Sequence, residues 1–308
     1  MPLLRALAAT ACALSVAGLA CTQTTEHPVQ PKPIRLRVSA TTAKNLQSAF
    51  AAVPDITYQV ATEGGSSITS LQDLEKRKTD IGIPLADVAY LAYSGQLKDM
   101  PGAFDDLRGM AVLTLNTVHL VVGGHTGIRT IADLRGKRIS LGPPESATAL
   151  IAEQLLEAHH IGLAEVQSER VSNREFDGRL VRGELDAAFV TFVPPNEGVM
   201  IAARAGARLI NIEGSAIEHV RTRYPYLRRT LIPRMTYPNQ AERVRTVGLD
   251  VLLVCRADVD ESVVYRLLEA YFATSVTIRP LDLERAPATP IPLHPGAVRY
   301  YRQRELSR

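Results

Sequence analysis

Two extended apolar runs, VHLVVGG (residues 118–124) and VGLDVLLVCRA (residues 247–257), decide how this chain folds. They bracket a block in which strand-like and helix-like segments alternate, and a block of the same character precedes the first of them. A chain that leaves one lobe, builds a second and returns needs two crossings of this kind. The runs are therefore read as crossover strands. One lobe then comprises residues 34–119 together with residues 247–308, the other residues 120–246, and the hinge falls near Leu120 and Val247.

Working outward from the first run, IRLRVSA and ITYQVA are strand candidates, with the helical stretch AKNLQSAFAA between them. SITSLQDLEKRK follows as an amphipathic helix with Ile68, Leu71 and Leu74 on one face, and TDIGIP and LADVAYLAY repeat the alternation. Beyond the first run, KRISLG, VQSERV and LDAAFVTF read as strands. NREFDGRLVRG and SATALIAEQLLEAHHIG read as helices. In the latter, Ala147, Leu150, Ile151, Leu155 and Ala158 form one apolar stripe, and Ser146 is placed to cap its start. Strands separated by helices imply an α/β fold with a mainly parallel sheet covered on both faces.

The ends and the bulk composition limit the function classes. MPLLRALAATACALSVAGLAC has one basic residue, Arg5, then runs apolar and small to Cys21, the order of a secretory signal and too short for a comfortable membrane span. Residues 1–20 are expected to leave as a signal peptide and residues 21–33, polar and Pro-rich, to act as a tether. Two cleavage readings stay open. Cutting behind Ala20 and lipidating Cys21 would hold the protein on an extracytoplasmic membrane surface, although Gly18 stands where a lipobox usually has a branched apolar residue. The small-x-small run of Gly18, Leu19 and Ala20 would instead release it to the periplasm. Membrane contact is expected only through such an anchor. A net charge of +3 over 308 residues is too small for the dense basic stripe of a nucleic-acid binder. Of three cysteines, Cys12 leaves with the signal and Cys255 sits in an apolar run, so neither a disulfide framework nor a CxxC metal site is expected.

Four stretches together resemble the TAXI family of solute-binding proteins that serve TRAP transporters. GGSSITSLQDLEKRKTDIGIPLADVAYLAY looks like the family's Gly-Ser turn, helix and strand-to-helix junction. GIRTIADLRGKRISLGPPESAT looks like its G-I-x-S-I-x-D-L-K-G-K-R-V-x-x-G-P-x-G-S-G-T. LIPRMTYPNQAERVRTVG and LHPGAVRYYRQREL are similar to its I-P-x-x-x-Y-P-x-Q and C-terminal H-P-G-A-x-x-Y-Y segments. The resemblance implies a two-lobed, periplasmic-binding-protein-like fold of type II character, its lobes joined by the crossover strands. It also implies capture of a small organic solute, a carboxylate or an amino acid, in the interlobe cleft, and delivery to TRAP membrane subunits. An ABC-importer receptor and a sensor docking on a membrane kinase are the alternatives.

In open parallel sheets ligands sit beyond the carboxyl ends of strands, where helix N-termini offer unpaired N–H groups. Three such junctions are legible: residues 39–42, 64–67 and 143–148. The candidate ligand-binding residues are accordingly Ser39, Thr41, Thr42, Gly65, Ser66, Asp87, Pro144, Glu145, Ser146, Thr148, Phe192 and Tyr237. Each cap has an ordinary structural role as well, and Tyr237 could be a surface turn residue. Departures from the family pattern matter: Glu145-Ser146-Ala147 stands where Gly-Ser-Gly is expected, and a carboxylate there would repel an anion. The solute is therefore anionic only if Glu145 turns outward; otherwise it is cationic, zwitterionic or neutral. No cofactor and no catalytic residue is expected: nothing resembles G-x-S-x-G, and the adjacent His159 and His160 diverge by about 100° on a helix. The cluster Arg221, Arg223, Arg228, Arg229 and Arg234 reads as a solvated face or a docking patch.

Overall fold

In the computed structural model, which describes residues 34–39, 46, 49–50, 53, 56–61, 66–98, 100, 102–273 and 284–306, the alternation becomes a continuous mixed sheet with helices packed on it. The signal and tether residues, Cys21, Thr41, Thr42 and Gly65 lie outside the described residues. The first strand unit is β1 (Ile34–Ser39), β2 (Ile56–Ala61), α1 (Ser67–Glu75), β3 (Ile81–Gly82) and α2 (Ala86–Tyr93). Then come β4 (Leu107–Val122), β5 (Arg138–Ser140), α3 (Ala147–Ala158), β6 (Gln167–Glu169), α4 (Phe176–Val181) and β7 (Ala187–Phe192). The chain continues through α5 (Glu197–Arg204), β8 (Arg208–Ile210), α6 (Ser215–Arg223) and β9 (Leu227–Ile232). It ends with β10 (Val244–Arg256), α7 (Glu261–Ala273) and α8 (Pro295–Leu306).

The sheet runs β2-β1-β3-β10-β4-β7-β5-β6, with β8 also on β4 and β9 also on β10. Its two outer thirds are parallel, as expected: β1 with β2 and β3, and β5 with β6 and β7. The middle is antiparallel, contrary to the expectation of a mainly parallel sheet. The reason is directional: β4 leaves the first unit, β10 returns to it, and the two pair with each other. Their ladder runs from Leu107 opposite Arg256 to Thr117 opposite Gly248. Beyond that point each strand changes partner, β4 to β7 and β8 and β10 to β9. The first crossing is thus a 16-residue strand, of which the apolar run at 118 is only the far part. Arg108, Gly109, Thr114 and Asn116 break the apolar pattern of its near part, which hid it in the sequence. Likewise part of the arginine cluster forms β9, where Arg228, Arg229 and Thr230 stand between the buried ends Leu227 and Ile232 and hide the strand pattern.

The same side-chain clasp closes each parallel unit. In the first, Arg35 donates to Asp80 through its backbone N–H (2.8 Å), Nε (3.0 Å) and Nη2 (3.1 Å), and the N–H of Asp80 returns to the carbonyl of Arg35 at 2.8 Å. In the second, Arg138 makes the corresponding bonds to Asp186 at 2.8, 3.2 and 2.8 Å, and the N–H of Asp186 returns to Arg138 at 2.8 Å. Each aspartate immediately precedes the third strand of its unit, β3 or β7, and the arginines stand at the start of the first, Arg35 as the second residue of β1 and Arg138 as the first of β5. A bidentate fork of this type fixes geometry as well as charge. Arg256 on the returning strand adds a bond of 2.9 Å to Asp80, so the clasp of the first unit also grips β10.

Burial opposes ionisation of Asp80, yet the hydrogen bonds from Arg35 and Arg256 hold its carboxyl down to about 2. The hydrogen bond from Arg138 does the same for Asp186, also to about 2. An unfolded aspartate titrates near 3.9, so folding is favoured above that pH and the contribution disappears as pH falls towards 2. Asp80→Asn and Asp186→Asn should each cost about 2 kcal/mol at pH 7 and much less at pH 2.5. Denaturant titrations of the variants at the two pH values check this; an equal loss at both would contradict it.

Candidate functional site

The loop that leads into α3 is shaped by its backbone. Gly142 has φ +92°, and a Cβ there would stand 2.7 Å from Cγ2 of Thr148, so this turn closes only around a glycine. Two prolines follow, then Glu145 at φ +50°, in the left-handed region that costs an ordinary residue about 1–2 kcal/mol. Ser146 caps the helix: its hydroxyl accepts the N–H of Ala149 at 3.1 Å and donates to the carbonyl of Pro143 at 2.7 Å. The family pattern's glycine at this point therefore has a physical cause, since position 145 needs positive φ.

This turn forms one wall of a groove of about 500 Å³. Pro144, Glu145 and Ser146 face it together with Gln154 further along α3, while Ile68 of α1 and Leu91 of α2 form the opposite wall. Its rim is charged but balanced. Glu145, Glu153 and Glu157 stand with Lys98, Arg170 and Arg223; of these Arg170 pairs with Glu153, and the Arg223 guanidinium lies 5.3 Å from the ring centre of Tyr224.

Behind the groove lies a buried polar constellation. Nε2 of Gln154 donates to the Tyr226 hydroxyl at 3.0 Å, and the Tyr226 ring lies 5.6 Å from Tyr90 and 5.4 Å from Tyr224. Burial raises the pKa of Tyr226, and the carboxylate of Asp87 raises it further. Asp87 occupies the first turn of α2 and is fully buried. Burial pushes its carboxyl up to about 7, against a weaker pull from the N–H groups of Val88 and of Asp87 itself. Asp87 belongs to the chain before the first crossing, whereas Gln154 and Tyr226 belong to the chain between the two.

The structure brings Pro144, Glu145 and Ser146 to one groove; Asp87 does not line it and lies buried near Tyr226. Thr148 is buried in the first turn of α3, its methyl against Gly142. Ser66 caps α1, accepting the N–H of Thr69 at 3.0 Å, and Ser39 ends β1. Two candidates fall elsewhere. Phe192 ends β7 and packs against a core of Val121, Phe176 and Val190. Tyr237 is buried in that core, not at a surface turn; its hydroxyl accepts the N–H of Asn196 at 3.0 Å and donates to Nε2 of His119 at 2.9 Å. His119 in turn donates through Nδ1 to the carbonyl of Thr117, and burial lowers its pKa to about 4, so the neutral ring completes a hydrogen-bonded chain.

Sequence reasoning missed Gln154, Tyr224 and Tyr226. A signal existed for Gln154, a polar residue three positions after Ile151 on the apolar stripe of α3. The tyrosines stood inside a segment noted only for its arginines. Those arginines are largely paired: Arg221 and Arg229 with Glu218, Arg228 with Asp250 at 3.1 Å. Among the described residues no group of His, Cys, Asp or Glu could hold a metal ion, and no helix is long and apolar enough to cross a membrane.

Residues 38–304 match the model of the NMT1-like family. Among solved structures, the chain is similar to the alkanesulfonate-binding protein of Xanthomonas axonopodis pv. citri bound to MOPS, at 14% identity and TM-score 0.52, over 89% of this chain and 80% of that one. It is similar to the periplasmic aliphatic sulphonate-binding protein of Escherichia coli, at 14% identity and TM-score 0.50, over 89% and 83%. A protein assigned to sulfonate ABC transport in Methylobacillus flagellatus KT matches at 15% identity and TM-score 0.50, over 79% and 67%. These likenesses show the fold: mixed α/β, of the two-lobed periplasmic binding-protein kind. They do not single out the TAXI family.

Relief of the backbone at residue 145 can be measured directly. Glu145→Gly should stabilise the chain by about 0.5–1 kcal/mol, the left-handed penalty less the greater freedom of glycine in the unfolded chain. That corresponds to a melting temperature about 1–3 °C higher. A lower melting temperature would show that the Glu145 side chain contributes more than its backbone costs.

Proposed function

Because the chain belongs to the NMT1-like family, we propose that it is the extracytoplasmic solute-binding subunit of an importer, taking up a small organic solute and releasing it unaltered to a membrane partner. The observation that carries this reading is the groove between α1 and α2 on one side and the start of α3 on the other. It has the size of a small-molecule site, and its walls come from chain segments separated by the first crossing. The lobes of this reading are residues 34–119 with 247–308 and residues 120–246, hinged near Leu120 and Val247. The change of partner along β4 and β10 at Thr117 and Gly248 supports that division.

An ABC-type importer is the preferred membrane partner, since the sulfonate-binding neighbours include one assigned to such a system. The four ordered TAXI-like stretches favour a TRAP transporter as the second reading. Export through residues 1–20, with Cys21 as lipid acceptor, belongs to the same proposal. The expected result is that one chemical class of small solute raises the melting temperature, by about 2.7 kcal/mol of stabilisation at a hundred times its dissociation constant. Mass spectrometry of the released solute should find it unchanged. A converted solute would make the protein an enzyme and contradict the proposal.

A further inference from the structure

Three buried acceptor atoms lack a donor. Neither carboxylate oxygen of Asp87 nor Oε1 of Gln154 makes a well-formed hydrogen bond among the described residues; only the N–H groups of Val88 and of Asp87 itself pull weakly on the carboxylate. Asp87 is fully buried and Gln154 is 8% exposed. An unsatisfied buried acceptor is costly, and an unpaired carboxylate most of all. The nearby arginines are engaged elsewhere: Arg228 holds Asp250 at 3.1 and 3.2 Å, and Arg223 lies over Tyr224. The amide nitrogen of Gln154 is already used on Tyr226, whose phenol feels the carboxylate of Asp87, and all three acceptors are sealed from solvent behind the groove that other atoms of Gln154 line.

What satisfies all three atoms is a positive group carrying several N–H donors. We propose that Asp87 and Gln154 bind the cationic end of a small organic solute, a primary ammonium or a guanidinium group, with Asp87 as counter-ion and Gln154 as second acceptor. The inference rests on the receptor reading and names its cargo. The faces of Tyr90, Tyr224 and Tyr226 add a surface that attracts cations. The balanced rim charges give an anion no advantage. Asp87 and Gln154 stand on helices from either side of the first crossing, so one bound cation would tie the two sides together. A quaternary ammonium brings the charge but no donor, and leaves the acceptors unsatisfied.

The test is calorimetric titration of the purified chain with putrescine, agmatine and L-lysine, against choline, succinate, methanesulfonate and glucose. At least one of the first three should bind, and choline should bind at least tenfold more weakly. Asp87→Asn should weaken the amine at least a hundredfold and Gln154→Leu about tenfold, both with native far-ultraviolet circular dichroism. If Asp87→Asn does not fold, the contrast between amine and choline decides the matter alone. Binding of succinate, methanesulfonate or glucose without the amines would overturn the inference and leave the receptor intact. So would amine binding that survives Asp87→Asn. No binding by any probe would overturn the inference and count against the receptor as well.

Discussion

Backbone hydrogen bonds between β4 and β10 join the two halves of the sheet, and the positions of the flanking elements follow from that ladder. The two strands run in opposite directions because one carries the chain out of the first parallel unit and the other brings it back. Where the ladder ends, at Thr117 and Gly248, each strand continues with partners of its own. Among the described residues, the sheet order connects β2, β1 and β3 to β7, β5 and β6 through β10 and β4 alone. The returning strand is also tied to the site: the N–H of Leu252 bonds to the carbonyl of Pro84 at 2.9 Å, and Leu85 bridges to Val251. Asp87 therefore sits within one turn of the crossing.

Around this centre the molecule repeats a single device. The Arg35–Asp80 and Arg138–Asp186 clasps use the same backbone and side-chain bonds at the same place in each unit. Asp87 is the opposite case. Asp80 and Asp186 are held ionised by arginines, whereas Asp87 is buried with no cation beside it among the described residues. Asp87 thus differs from both clasp aspartates in having no arginine to offset its burial.

Much of this was legible in the sequence, and the failures have physical causes. Short β-rich runs and one apolar helical stripe gave β1, β2, β5, α3 and β7, and α3 has a clean boundary in Ser146. The near part of β4 and the whole of β9 were hidden because paired arginines and small polar residues occupy strand positions, so hydrophobic period carries no signal there. The turn at residues 144–146 was found from its capping pattern. Gln154, Tyr224 and Tyr226 were not, since side chains brought together across a crossing have no local spacing to betray them. The burial of Tyr237 was not legible for the related reason that a phenol in a Pro-rich turn reads alike whether it is exposed or, as here, packed against the ring of His119.

The claim on which this account turns is that the two halves move about β4 and β10 and close on a solute. Small-angle X-ray scattering of the purified chain, with and without the small molecule that most raises its melting temperature, measures that motion. Closure predicts a smaller radius of gyration and a narrower distance distribution in the presence of the solute. A scattering profile unchanged at saturation would contradict the hinge and, with it, the account of the groove as a closing receptor site.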